Sequence, residues 1–216
     1  FVFTLGLARR FGAKVLLRID DLDASRARDE YIHDIFETLQ FLGLPWDEGP
    51  RNLEDFKARY AQQHRKALYL EALDTLKQRQ LVFACDCSRS VILRHSSSPG
   101  YTGSCLQKNL SLQSPEIAWR MRNIPESNMQ LKEWGTGESQ RAYPEAQRHL
   151  MVKKKDGDPS YQLASVVDDE FFQVDLVVRG ADLMESTLAQ LYLAEQTGAT
   201  AFRDAMFVHH PLLTDE

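Results

Sequence analysis

The sequence has no apolar run near the roughly 18 residues that a membrane-crossing helix needs. It has no excess of positive charge: Lys and Arg number 26 against 31 Asp and Glu, a formal net charge of -5. A protein whose whole surface tracks nucleic acid would be basic, so only a local basic face is compatible with such a partner. The first ten residues, Phe1 to Arg10, are apolar but have no cationic lead-in and no small-residue cleavage site, so they do not read as a signal peptide. An initiator Met is absent, which fits a chain that begins within a domain. Cysteine is scarce as well. There are three, an odd number, all between Cys85 and Cys105. That argues against a disulfide framework and favours a metal site in a reducing cytoplasm.

What is present is an alternation of helical and strand-length patterns. Residues 1–10 read as a helix stopped by Gly12, and Lys14 to Ile19 as a short apolar strand ending in Asp20-Asp21-Leu22-Asp23. Ile32, Ile35, Phe36, Leu39 and Leu42 follow helical spacing, with Asp23 or Ser25 as cap and Gly43 as stop. Residues 54–80 carry a second long amphipathic pattern, and Leu81 to Ala84 read as a strand. From Cys85 to about Tyr143 this rhythm breaks into polar turns, including a Ser-Ser-Ser-Pro-Gly stretch, and reads as an insertion. Strands resume at Leu150–Lys153. Tyr161 to Asp169 reads as a further strand, and Val174 to Val178 as another leading into Arg179-Gly180-Ala181-Asp182-Leu183. A helix capped by Ser186 or Thr187 then ends at Gly198. The expectation is an α/β layer on a parallel sheet, with 1–84 and 144–216 forming a discontinuous catalytic domain around an 85–143 insertion.

Two places carry candidate chemistry. Zn²⁺ takes four tetrahedral ligands from Cys, His and carboxylates. Cys85, Cys87 and Cys105 supply three, and spacing alone leaves His95, Tyr101 and Asp86 open as the fourth. Three reduced cysteines in a small core are the plain structural alternative. The second place is the carboxyl end of the predicted strands, where open α/β sheets bind ligands. Asp20 there can hold an ammonium group, while Asp21 and Asp23 read equally well as helix caps. Arg179 can clamp a carboxylate with two parallel hydrogen bonds, or pair structurally with Asp168, Asp169 or Asp182. Tyr161 can reach a ligand or sit in the core.

Several segments resemble the glutamyl-tRNA synthetase group of class I. Arg18-Ile19-Asp20-Asp21-Leu22-Asp23 is similar to that group's Arg-Ile-Glu-Asp-Thr/Leu-Asp signature, and Leu42 to Pro50 to its Leu-Gly-Leu-x-Trp-Asp-Glu-Gly-Pro segment. Tyr161 to Asp169 resembles Tyr-x-Leu-Ala-x-Val-Val-Asp-Asp, and Arg179 to Thr187 resembles Arg-Gly-x-Asp-Leu-x-x-Ser-Thr. The order is that of the family across nearly the whole chain. Within the group the short glutamyl-queuosine tRNA(Asp) synthetases are the nearest in wording, with their Cys-x-Cys, loop, Tyr-x-x-x-Cys zinc motif.

The resemblance implies a Rossmann-like class I catalytic domain with an inserted zinc-binding subdomain, acting as a cytoplasmic monomer with no membrane partner. It implies structural Zn²⁺ on Cys85, Cys87, Tyr101 and Cys105, which promotes Tyr101 over His95. It implies ATP-dependent activation of glutamate, with Mg²⁺, and transfer to tRNA, at the queuosine base of tRNA(Asp). Two other outcomes stay open: a discriminating glutamyl-tRNA synthetase, and a non-catalytic zinc-stabilised RNA-binding module. Tyr161 and Arg179 are the implied glutamate contacts, Asp20 the holder of the α-amino group, and Ser165 a further substrate-facing position. Asp20 departs from the family's Glu by one methylene. Arg89, Arg94, Lys108, Arg120 and Arg122 are candidate RNA backbone contacts. The family's His-Ile-Gly-His-like and Lys-Met-Ser-Lys-Ser-like ATP motifs fall before Phe1 and after Glu216, so these 216 residues alone are expected to be inactive.

Overall fold

A computed structural model describes residues 1–23, 27–88, 90–92, 100–123, 125 and 128–212. It divides into two compact units, Phe1–Ala67 and Leu68–Glu216.

The first unit opens with α1 (Val2–Phe11), closed by Gly12 in the left-handed conformation at φ 66°. Helix α2 (Asp29–Phe41) buries Ile32, Phe36 and Leu39 on one face, as the spacing predicts. It starts at Arg28 with no side-chain cap, so Asp21 and Asp23 do not cap it. Ser25 lies outside the described residues. Lys14–Ile19 forms no full strand. It makes one parallel bridge, Leu16 to Glu48, because the chain at Glu48 offers a single bonding register before it turns away. The buried carboxylate-side grip here is on Asp21 instead. Gln62 takes the Asp21 and Leu22 N–H groups on its amide oxygen at 2.7 and 3.0 Å, and its own N–H donates to Asp21 Oδ1 at 2.7 Å. The amphipathic run over 54–80 is not one helix. A short helical turn α3 (Leu53–Asp55), a π-helical turn (Phe56–Tyr60) and a 3₁₀ turn (Gln62–Arg65) precede α4 (Lys66–Gln78).

The second unit has two sheets. Strands β1 (Val82–Cys85), β2 (Ala118–Met121) and β5 (Met151–Lys153) form an antiparallel sheet in the order β1-β2-β5. Strands β3 (Met129–Glu133), β4 (Gly137–Arg141), β6 (Leu176–Gly180) and β7 (Met206–His210) form a mixed sheet, β4-β3-β7-β6. There β6 and β3 run parallel to β7, while β4 pairs antiparallel with β3. The expected parallel layer is thus confined to β3, β7 and β6. β1 belongs to the other sheet, because its partner β2 returns antiparallel in the register Val82 to Met121.

Tyr161 to Asp169, expected as a strand, is the helix α5 (Tyr161–Phe171). Ser160 caps it by accepting the Leu163 N–H, which commits the apolar run to helical pitch. Helix α6 (Met184–Thr197) follows β6. It begins after Leu183 with no side-chain cap, so neither Ser186 nor Thr187 serves as one, and it ends at Gly198 as expected. A short α7 (Thr200–Asp204) leads into β7. The core of this unit is built from Leu73, Leu76, Met121, Leu131, Val152, Leu163, Val166, Leu193, Phe202 and Phe207. No described helix is long and apolar enough to cross a membrane.

Candidate functional site

The cysteine cluster sits where β1 ends. Cys85 is its last residue and is fully buried; Cys87 is half-buried two positions on. Cys105 returns from a turn at Gly103, whose φ is 83° and where an added Cβ would stand 2.5 Å from His149 Nε2, leaving no room for a side chain. The three sulfurs lie within 4.8 Å of one another, and those of Cys87 and Cys105 are 3.4 Å apart. All three cysteines are free thiols. Tyr101 is brought to the same place. Its ring stacks on Phe83, edges against His149, and carries the Arg120 guanidinium 4.3 Å above it. Its hydroxyl accepts the Cys105 N–H at 2.8 Å and lies 3.8 Å from Cys87 Sγ. Asp86 stands outside: its Oδ1 is 3.1 Å from Cys105 Sγ and accepts from Lys108 Nζ at 2.7 Å, while Lys155 donates to its carbonyl.

Electrostatics divide the thiols. Burial opposes ionisation of Cys85, but hydrogen bonds from Tyr101 and the Cys87 N–H, with the charge of Arg120, outweigh it and hold this thiol below the usual range. Burial pushes the Cys105 thiol up to about 11, and it pushes the Tyr101 hydroxyl up as well. A tetrahedral zinc with sulfur at about 2.3 Å spaces its sulfurs roughly 3.8 Å apart. The donor set and its spread fit such an ion, with Tyr101 and Asp86 the oxygen donors at hand. Of the other cluster candidates, His95 lies outside the described residues.

The amino-acid candidates are distributed over both units. Asp20 lies in the first unit and accepts from Arg18 Nε at 2.9 Å. In the second unit Tyr161 opens α5, half exposed, and Ser165 is buried one helical turn further along. Arg179 is at the carboxyl end of β6, mostly buried, its guanidinium 5.6 Å over the Phe207 ring. It donates from Nη1 to Gln190 Oε1 at 2.6 Å and to Thr187 Oγ1 at 3.4 Å. Gln162 on α5 donates to Ser186 on α6 at 2.9 Å, tying the Tyr161 helix to the helix that backs Arg179.

Gln190, His209 and Glu133 escaped the sequence reading, which took Thr187 as a helix cap and a family mark only. His209 Nε2 is 2.8 Å from Thr187 Oγ1, and its Nδ1 is 3.6 Å from Glu133 Oε1. Thr187 and Gln190 stand eight and eleven residues after Arg179, on the face of α6 that returns to β6. That spacing is the one signal in the sequence that points to them.

The basic candidates also separate. Lys108 is engaged by Asp86, and Arg120 donates to the His149 carbonyl at 3.0 Å beneath its stack on Tyr101. Arg122 is exposed at the end of β2. It lines an open pocket of about 420 Å³ with Lys77, Cys105, Asn109 and Ser111. Arg89 and Arg94 lie outside the described residues.

Comparison with known proteins matches residues 1–215 to the catalytic domain of class I tRNA synthetases (E and Q). The chain is 35% identical to a glutamyl-Q tRNA(Asp) synthetase of Nitratidesulfovibrio vulgaris, over 96% of this chain and 67% of that protein. It is 30% identical to a glutamate–tRNA ligase of Syntrophus aciditrophicus, over 95% of this chain and 44% of that protein. The chain thus spans from under half to about two thirds of the length of these curated relatives. The solved glutamate–tRNA synthetase of Elizabethkingia anophelis superposes with a TM-score of 0.77 at 18% identity, over 98% of this chain and 46% of that one, which shows a shared α/β fold. The chain belongs to the class I glutamate and glutamine tRNA synthetase family, within its catalytic domain.

Proposed function

We propose that this chain carries the amino-acid pocket and the metal-stabilised insertion of an enzyme that activates glutamate with ATP and Mg²⁺ and passes it to the queuosine base of tRNA(Asp). The observation that carries the reading is Arg179. It is a mostly buried guanidinium at the carboxyl end of a parallel strand, where α/β sheets take their ligands. An arginine placed there, with Nη1 donating to Gln190 and Thr187, suits a carboxylate of glutamate. Tyr161 and Ser165 add hydroxyls from α5.

The chemistry needs no covalent enzyme intermediate. A glutamate carboxylate oxygen attacks the α-phosphorus of ATP and pyrophosphate leaves. An RNA hydroxyl then attacks the carbonyl carbon of the adenylate and AMP leaves. Alignment and preorganised charge supply the rate enhancement. Cys85, Cys87, Tyr101 and Cys105 would hold a structural Zn²⁺ that fastens the start of the 85–143 insertion to the end of β1. Lys77 and Arg122, at the open pocket beside the cluster, suit RNA phosphates. The enzyme is expected to work as a monomer in the cytoplasm.

The test uses the full-length protein with labelled glutamate. Glutamate-dependent ATP–pyrophosphate exchange is expected without tRNA, followed by transfer to tRNA(Asp) bearing queuosine and not to tRNA(Asp) lacking it. Transfer to tRNA(Glu) would make the protein a glutamate–tRNA ligase, the activity named for the Syntrophus relative. Binding of tRNA without any exchange would leave the non-catalytic RNA-binding module standing in its place.

A further inference from the structure

Gln190 is fully buried on α6, and only one end of its side-chain amide is satisfied. Its Oε1 accepts from Arg179 Nη1 at 2.6 Å. A guanidinium only donates, so the orientation of this amide is fixed with its oxygen on Arg179 Nη1. The amide nitrogen, Nε2, is enclosed and has no acceptor among the described residues. Gln162 shows the contrast. Its Oε1 is also buried without a partner, but its neighbour is the Ser186 hydroxyl, which serves either end of an amide. Turning Gln162 over is therefore possible, and turning Gln190 over is not. A fixed, buried donor with nothing to donate to is costly in a folded protein and marks a place where a partner arrives.

We propose that Gln190 is a substrate-binding and specificity-determining residue, its Nε2 donating to an oxygen of the same glutamate carboxylate that Arg179 clamps. The assignment rests on the glutamate reading above. It deepens that reading by adding a neutral donor that shares a site with the cation. A carboxylate presents acceptors to both groups. A primary amide in its place brings its own N–H donors against Nε2 or Arg179 and lacks the charge that Arg179 pairs with. Gln190 therefore helps separate glutamate from its amides, because a site built around fixed polar groups penalises the analogue that leaves one unpaired. Being neutral, Gln190 itself cancels none of the charge of Arg179, which a glutamate at this position would.

The experiment is calorimetric titration of the full-length protein with glutamate, glutamine and isoglutamine, paired with NMR of the glutamine side-chain amides. Wild type is expected to prefer glutamate over at least one of the two amides, and that amide identifies which carboxylate is read. In Gln190→Met the glutamate Kd rises at least about tenfold while binding of that amide is unchanged, so the preference collapses. In ¹³C,¹⁵N-labelled wild type the amide resonances of Gln190, assigned by through-bond correlation to its backbone, move on adding glutamate and not on adding that amide. The NMR measurement needs no folded variant for its titration, and it reports a hydrogen bond that a merely supporting role for Arg179 would not create. Unmoved Gln190 resonances in saturating glutamate, or a variant with wild-type preference, overturn the assignment. A wild-type protein that binds none of the three ligands overturns the glutamate reading itself.

Discussion

His209 is held between Thr187 and Glu133. The Thr187 hydroxyl gives its only hydrogen to the Leu183 carbonyl at 3.1 Å, so His209 Nε2 must be the donor in their 2.8 Å contact. Nδ1 lies 3.6 Å from Glu133 Oε1 and has no hydrogen-bond partner among the described residues. Burial, reinforced by the charge of Arg179, holds the ring below the ordinary histidine value of 6.5. A folded-state value below the unfolded one means that the unfolded chain takes up a proton first as pH falls. The stability associated with the neutral ring is therefore complete above 6.5 and declines as pH drops from 6.5 toward the folded value. His209→Gln is expected to flatten this part of the stability–pH profile, measured by urea unfolding at about pH 7.5 and about pH 5.5. An unchanged slope in the variant would show that His209 titrates alike in both states. The sequence announced little at this scale. Arg18 and Asp20 were legible as a guanidinium and a carboxylate two residues apart, and they do pair although the strand expected to align them does not form. Gln62 and Gln190 were not, because a glutamine inside an amphipathic pattern looks like a surface residue until packing encloses it.

Among the elements, the segment Trp46 to Arg51 turns out to be a knot. Val15 N–H donates to Asp47 Oδ2 at 2.7 Å, Trp46 Nε1 donates to the Pro50 carbonyl at 2.9 Å, and Arg51 donates to the carbonyls of Trp46 and Asp47. The same turn carries the Glu48 carbonyl that receives the Leu17 N–H at 2.9 Å. Gly49 makes the turn possible. Its φ is 106°, and a Cβ there would stand 2.2 Å from the Leu17 carbonyl oxygen. Gly49→Ala is expected to cost more than about 1 kcal/mol, read as a lowered urea midpoint with the slope unchanged. A variant as stable as the parent would mean that the turn relaxes at no cost. The sequence displayed this segment only as a family mark, since wording carries no hydrogen bonds. The misread elements have a common cause. Lys14–Ile19 and Tyr161–Asp169 are short apolar runs, and in such runs periodicity does not separate strand from helix. For α5 the deciding residue was Ser160, whose cap on Leu163 lies just outside the apolar run itself. Helices α1 and α2 were legible because their apolar spacing and their terminal glycines agree.

At the scale of the whole molecule, the two compact units have separate cores. Leu17, Ile32, Phe36 and Phe56 are packed in the first, and Leu73, Met121, Val152 and Phe207 in the second. The cysteine cluster forms a further small core with Phe83 and Tyr101, entirely within the second unit. A structural ion contributes its binding energy to the fold that assembles its ligands, so its loss should be felt where those ligands are anchored. The anchors are β1, which carries Cys85, the 100–108 turn, which carries Tyr101 and Cys105, and β2, which pairs with β1 through Cys85 and Ala118. With about one zinc bound per chain, chelation is expected to speed amide hydrogen exchange across Val82–Cys85, 100–108 and Ala118–Met121. Exchange in α1 and α2, whose hydrogen bonds belong to the other core, should not change. Cys105→Ser should reproduce the chelated pattern without chelator and lose the metal. A zinc-loaded protein whose exchange is indifferent to chelation would reduce the cluster to three packed thiols. Acceleration reaching α1 and α2 would mean instead that the ion supports the folding of both units together.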